Sequence, residues 1–228
     1  MTDVPKLPMD TLSTSYGFEP REFKPLIKRV VDLVGSAVLL AFLLPLLLLI
    51  SVIVFTQVGP RVVFAHEREG KDGRKFYCLK FRTMFLDADE RLAQILATDA
   101  EAAAEWEATR KLKNDTRIIP IVGNFLRKSS LDELPQLFNV LIGDMSMVGP
   151  RPVVEDEMSY YGDAAEYYYS VRPGMTGPWQ VGARNDCDYD TRVAQDVDYV
   201  KNWTIIGDFK IIVKTAIMVM KMKSPGAY

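Results

Sequence analysis

"LVGSAVLLAFLLPLLLLISVIVFTQVGP", residues Leu33 to Pro60, contains no Asp, Glu, Lys or Arg. A helix buried in a soluble protein is rarely apolar on every face, and a bilayer needs only about 20 such residues. The run starts too far into the chain, and is too long, for a cleavable signal peptide. It reads as a membrane segment. Basic residues flank it on both sides: Lys24, Lys28 and Arg29 before, then Arg61, Arg68, Lys71, Arg74 and Lys75 after. The positive-inside rule therefore favours both ends on the cytoplasmic side. Pro45 lies mid-segment, where it removes one backbone bond and clashes with the carbonyl of Ala41. Two arms of about a dozen residues, at roughly 1.5 Å per residue, each reach one leaflet of a ~30 Å core. A re-entrant helical hairpin over about residues 30–58 fits these observations, with an ordinary spanning helix as the alternative.

Outward from this segment, residues 1–21 are mixed polar with no apolar periodicity and are predicted to form a flexible tail. Residues 22–31 are basic and amphipathic, suited to an anionic membrane surface. "RVVFAHEREGKDGRKFYCLKFRTM" reads as a small β-hairpin turning at Lys71-Asp72-Gly73. Leu86 to Lys113 is Ala- and Glu-rich, a solvated helical excursion. A further helix is predicted from near Ser130, and another in "EDEMSYYGDAAEYYYSV", whose tyrosines 167–169 read as packing residues. "RPGMTGPWQVGARND" is a Gly/Pro loop, and "WTIIGDFKIIVKTAIMVMKMK" an amphipathic helix that suits an interface or a core. No internal repeat or linker divides the chain, so residues 22–228 read as one membrane-attached domain, expected to be cytoplasmic beyond about residue 59. The fold class is α+β and mainly helical, with the membrane hairpin, amphipathic interfacial helices and one small β-hairpin region.

Across 228 residues, 28 basic against 30 acidic side chains argue against nucleic-acid binding. Acidic residues concentrate at 87–107 and 186–198. Cys78 and Cys187 have no metal-ligand spacing and read as free thiols in a reducing compartment. The single histidine, His66, supports neither a zinc site nor a His-based triad.

"SSLDELPQLFNVLIGDMSMVGPRP", Ser129 to Pro152, carries the chemistry. Ser129 or Ser130 reads as an N-cap, with Asp132 and Glu133 in the first helical turn, where carboxylates complement the dipole. Taken locally, the pair is a capping device. Around it stand Arg127, Lys128 and Arg151, with Lys80 and Arg82 in "LKFRTM". A helix N-terminus among arginines suits phosphate. Carboxylates placed there repel phosphate unless one ligates a divalent cation or attacks phosphorus.

"LKFRTM", "GNFLRKSSLDELPQLFNVLIGDMSMVGPRP" and "VRPGMTGPWQVGARN" resemble the bacterial sugar transferases, the monotopic phosphoglycosyl transferases, over about residues 22–228. The resemblance implies transfer of a sugar 1-phosphate from a UDP-sugar to undecaprenyl phosphate, with UMP released. It implies that Asp132 is the nucleophile, forming a covalent phosphosugar-aspartate, and that Glu133 holds Mg²⁺. Arg127 and Arg151, and Lys80 with Arg82, match basic motif positions at the site. Gln180 and Arg184 are candidate nucleotide-sugar contacts, the alternative being a structural loop anchored by Trp179. "FAHEREG" and "SPGAY" look closest to members that begin exopolysaccharide synthesis with galactose or glucose phosphate. The chain lacks the N-terminal bundle of longer members and reads as the minimal catalytic form. Leu44 precedes Pro45 where the family often has Ser, and Gly182-Ala183 stands where Ser-Gly is frequent. The implied place is the bacterial inner membrane, cytoplasmic face, in contact with membrane lipids. A homodimer is left open. Three alternatives stand beside this reading. A multi-span glycosyltransferase would need more than one apolar segment, and a soluble nucleotidyltransferase none as long as this one. A non-catalytic membrane scaffold for polysaccharide assembly would leave Asp132 and Glu133 as caps.

Overall fold

The computed structural model describes residues 25–109, 112–182 and 188–220. Helix α1 runs from Pro25 to Val58 and passes through Pro45 without a break in the helical assignment. The two arms expected on either side of Pro45 are thus one continuous element. Among the described residues it is the one helix long and apolar enough to cross a membrane. One stripe of α1 faces inward along its whole length: Lys28, Asp32 and Ser36, then Leu47, Ile50, Val54 and Val58. The steps of three and four residues keep these side chains on one face. The opposite face exposes Leu26, Val30, Val34, Val38, Phe42, Leu49 and Val52.

The stripe is apolar at one end and polar at the other. Leu47, Ile50, Val54 and Val58 pack with Phe81, Ile119 and Leu126, while Leu40 and Leu43 also reach a second core around Phe76, Cys78, Leu137, Val140 and Met145. At the other end, Lys28 pairs with Asp32 (3.2 Å) and with Asp208 (2.8 Å). Asp32 Oδ1 also accepts from Ser146 Oγ and from the Met147 N–H, both at 3.0 Å. Arg29 donates to the carbonyls of Val140 and Leu141 at 2.6 and 2.9 Å. Buried charge is tolerated because each group has partners.

Strands β1 (Val63–Glu69) and β2 (Lys75–Phe81) pair antiparallel, as predicted, around a turn in which Asp72 and Gly73 have φ of 58° and 69°. The Ala- and Glu-rich region forms two helices, α2 (Ala88–Thr98) and α3 (Ala100–Thr109), with no buried residue in α2. They divide at Asp99, whose carboxylate accepts from the N–H groups of Glu101 and Ala102 and so starts a new helix. Helices α4 (Val122–Ser129) and α5 (Gln136–Ile142) follow. A second pairing, absent from the sequence expectations, joins β3 (Ser146–Val148) to β4 (Gly174–Thr176) in parallel. Gly174 is needed there, because a Cβ would stand 2.1 Å from the Gly149 nitrogen. The tyrosine-rich stretch is not one helix. It breaks into 3₁₀ turns at Glu155–Tyr160 and Gly162–Ala164 before α6 (Ala165–Ser170), with Gly162 at φ 47° between them. Its tyrosines do pack: the Tyr168 hydroxyl donates to the Glu69 carbonyl at 2.8 Å and accepts from the Val153 N–H at 3.3 Å. Helices α7 (Pro178–Val181), α8 (Tyr189–Lys201) and α9 (Ile205–Met220) complete the described chain. The architecture is α+β and mainly helical.

Candidate active site

The dyad lies between α4 and α5 rather than in the first turn of α5. Asp132 and Glu133 occupy a 3₁₀ turn, Leu131–Glu133, entered through Ser130 in the left-handed conformation at φ 57°. The expected serine cap is not formed. Ser130 makes no side-chain cap bond, and Ser129 donates backward to the carbonyls of Phe125 (2.7 Å) and Leu126 (3.2 Å). Ser130 is instead the left-handed C-cap of α4, its N–H returning to the Arg127 carbonyl, so the serines finish α4 rather than starting α5.

Asn139 holds this turn against the β-hairpin. Its Nδ2 donates to the Tyr77 carbonyl at 2.8 Å, and its Oδ1 accepts from the Leu79 N–H at 3.0 Å. One buried amide on α5 therefore occupies the free edge of β2, as a paired strand would. The next residue, Lys80, reaches Glu133 Oε1 at 2.6 Å. Burial alone would pull the Lys80 ammonium down, but Glu133 and Asp132 outweigh it and its pKa ends above the ordinary lysine value. Burial, then the charge of Glu133, push the Asp132 carboxyl up to about 6, while Lys80 and Arg127 pull the other way. Arg127 lies in the last turn of α4 and also acts on Asp115, whose carboxyl is held low by its bonds to Arg117 against the effect of burial. Glu133, Lys80 and Arg127 thus all act on the Asp132 carboxyl.

Arg151 follows the turn Gly149-Pro150, which is pinned by Gly149 N–H to the Thr176 carbonyl (2.9 Å) and Gly174 N–H to the Pro150 carbonyl (2.7 Å). Its guanidinium stands 3.4 Å from Glu157 and 6.0 Å from the Trp179 ring centre. The buried Cys78 thiol, raised chiefly by burial, feels Lys80, Glu133, Arg68 and Arg151 together. Arg151 thus acts on the same thiol as Lys80 and Glu133. Arg82 does not turn to the dyad: it donates to the Arg61 carbonyl at 2.7 Å and lies over the Phe64 ring at 5.4 Å. Gln180 donates to the Met175 carbonyl at 3.2 Å, within its own loop. Arg184 lies outside the described residues, as do Cys187 and the tail before residue 25.

Four residues not singled out from sequence as site groups join the constellation. Arg68 sits 3.6 Å from Glu157, and Arg192 lies 4.7 Å over Trp179. Glu157 and Asn139 are the other two. Arg68 carried one legible signal, its alternation with His66 on a strand opposite Cys78 and Lys80.

Among the described residues, no group of three His, Cys, Asp or Glu side chains forms a metal cage. That donor set still fits Mg²⁺, which commonly takes one or two carboxylates and completes its shell with substrate phosphates and water. A cleft of 640 Å³ between α2, α3 and residues 112–116 is lined by Asp99, Glu101, Glu105 and Lys113 and includes none of the site residues.

A family model described as bacterial sugar transferase matches residues 23–222. The chain is 52% identical over 202 residues to the undecaprenyl-phosphate galactose phosphotransferase of Salmonella typhimurium. It is 50% identical over 202 residues to the UDP-galactose-lipid carrier transferase of Erwinia amylovora. Both alignments take in 89% of this chain and 42% of the relative, so the chain spans less than half the length of these curated relatives. The exopolysaccharide production protein ExoY of Rhizobium meliloti is 50% identical over 188 residues, 82% of this chain and 83% of its own length. A family match over nearly the whole described chain, around the dyad and its cations, means that the chain belongs to the bacterial sugar transferase family.

Proposed function

We propose that the protein transfers a sugar 1-phosphate, galactose or glucose phosphate, from a UDP-sugar to undecaprenyl phosphate, the first membrane step of exopolysaccharide synthesis. The observation that carries this reading is the Asp132 carboxylate, half-buried beside Glu133 and flanked by Lys80 and Arg127, in a chain half identical to proteins named for that reaction. A carboxylate with a raised pKa is more basic and more nucleophilic than an exposed one, yet still ionised at neutral pH. Asp132 attacks the sugar-bearing phosphorus, and UMP leaves with the bridging oxygen. The lipid phosphate then displaces Asp132 in a second step. Lys80 and Arg127 stabilise charge on the transferring phosphoryl group, where catalysis is largely electrostatic. Glu133 would hold Mg²⁺, which offsets phosphate charge when bound. Arg151 binds phosphate from its pinned turn, Arg82 backs the basic motif that carries Lys80, and Arg184 is proposed as a nucleotide-sugar contact. Gln180 helps to shape the loop beside the sugar.

The membrane mode follows from α1. Its N-terminal end is held by Asp208 and β3, and its C-terminal end by Phe81, Ile119 and Leu126, all in one domain. Crossing a ~30 Å hydrocarbon core would separate those ends onto opposite sides of the bilayer. The double attachment supports a monotopic protein whose outer α1 face enters one leaflet from the cytoplasmic side of the inner membrane. Ile121 just before α4, Phe125 on α4, Phe138 and Ile142 on α5, and Ile206 and Phe209 on α9 add exposed apolar side chains.

The test is UMP release by the purified chain in detergent with a panel of UDP-sugars. One equivalent of UMP with UDP-galactose or UDP-glucose alone, and repeated turnover only when undecaprenyl phosphate is added, is expected. No release with any donor overturns the reading.

A further inference from the structure

In the β1–β2 hairpin, Phe64 pairs with Lys80, His66 with Cys78, and Arg68 with Phe76. Directly opposed residues share a face, so Arg68, His66, Cys78 and Lys80 form one row leading to the dyad. The Arg68 side chain is 14% exposed and is held twice. One nitrogen lies 3.1 Å from His66 Nδ1, which must accept because a guanidinium only donates. Another lies 3.6 Å from Glu157 Oε2. The other oxygen of Glu157 meets Arg151 at 3.4 Å, and Glu157 Oε2 also accepts from the Val154 N–H at 3.1 Å. Two guanidiniums thus flank a single carboxylate fixed to the backbone. Both ion pairs, at 3.6 and 3.4 Å, are longer than the 2.7–2.9 Å of a tight charge-assisted bond.

We propose that Arg68 and Arg151, oriented by His66 and Glu157, form a two-guanidinium cradle for the phosphate of the leaving nucleotide. This rests on the phosphoglycosyl transfer reading. Arg68 stands four residues along the hairpin from Lys80, about 13 Å at the backbone. The two cations therefore address different groups of an extended donor. Lys80 is beside the attacking carboxylate and belongs to the transferring phosphoryl group. The donor's sugar is neutral, so the other anion available to a cation pair is the nucleotide phosphate. When the Asp132 oxygen bonds to the sugar-bearing phosphorus, the bond from that phosphorus to the bridging oxygen breaks. Its electron pair stays on the bridging oxygen, and the UMP phosphate gains a negative charge. Fork-shaped guanidiniums match that oxygen pattern in a way a lysine does not. The lipid phosphate is the other anion the cradle could take, and its affinity separates the two cases.

The experiment measures binding of UMP and uridine, and the KM for undecaprenyl phosphate, in the wild-type chain, Arg68→Ala and Arg68→Lys. Arg68→Ala should lose about tenfold or more in UMP affinity, the scale of a charged hydrogen bond. Uridine binding and the lipid KM should stay unchanged. Arg68→Lys keeps the charge and volume, so it guards against a variant that fails to fold, and it should show an intermediate loss for UMP. Wild-type UMP affinity in both variants overturns the cradle, and so does a loss confined to the lipid KM. An active wild type separates that failure from failure of the parent reading, in which no UDP-sugar releases UMP at all.

Discussion

The Lys80 ammonium stands 2.6 Å from Glu133 Oε1, so the strand that carries the cation and the turn that carries the dyad meet through one ion pair. Both side chains are about one-third exposed, which makes the pair a modest source of stability and leaves its charge open to a substrate. Its main effect is on Asp132, whose ionisation depends on what its neighbours do.

The pH dependence follows in sign from that dependence. Protonated Asp132 cannot attack, so kcat/KM should rise with pH through an acid limb centred no higher than about 6. Lys80 lowers the Asp132 pKa, so Lys80→Met should move the limb to higher pH. Magnesium, by offsetting Glu133, should move it lower. A limb in the same place in Lys80→Met and wild type would refute the electrostatic link.

Asp132→Asn should abolish UMP release and yet stabilise the fold. Folded Asp132 titrates above its unfolded value, so at neutral pH its ionised form opposes folding. Removing the charge should contribute on the order of 1–2 kcal/mol, or a few degrees in melting temperature. Thermal melting of the two proteins at pH 7.5 checks this, and retained turnover would remove Asp132 from the nucleophile's role.

Asn139→Asp tests the clamp on β2. The carboxylate still accepts from the Leu79 N–H but cannot donate to the Tyr77 carbonyl. About 2 kcal/mol of destabilisation is expected from the lost bond and the buried charge. A lower kcat should accompany it as the turn loosens from Lys80. Urea titration and steady-state assays measure both.

Asp196 should make stability fall as pH rises. Burial pushes its carboxyl up to about 7, although the Tyr161 hydroxyl donates to it at 2.8 Å. The folded state then holds a proton that the unfolded state has released, and that advantage is lost as pH rises from about 4 through 7. Melting temperatures of wild type and Asp196→Asn between pH 5 and 8 should differ in slope, the variant being flatter.

A cysteine placed near residue 15 should be labelled only after membranes are opened to reagent from the cytoplasmic side. Labelling from the periplasm would rule out the monotopic attachment.

The sequence carried the long apolar helix, the β-hairpin and the nearness of Lys80 to the dyad, because these rest on composition and on contiguous motifs. The serine cap was misread because the local pattern fits a helix start equally well. The left-handed residue at Ser130 closes α4 and brings Glu133 to Lys80 on β2, a partner 53 residues away that no local pattern records. β3 and β4 are three residues each, too short for periodicity to mark them. Arg68, Glu157 and Asn139 act through partners on other elements: Glu157 is 89 residues from Arg68 along the chain, and Asn139 is 60 from Leu79.

The Lys28–Asp208 pair has a consequence for the order in which the protein is built. On the ribosome α1 is made long before α9, so Lys28 and Asp32 wait for Asp208, 176 positions after Asp32. Ser146 and the Met147 N–H appear only partway through that interval. The inner face of α1 is therefore completed by the last described helix to be synthesised. A nascent chain stalled before α9 should lack the Asp208 partner of Lys28 and leave the inner face of α1 incomplete.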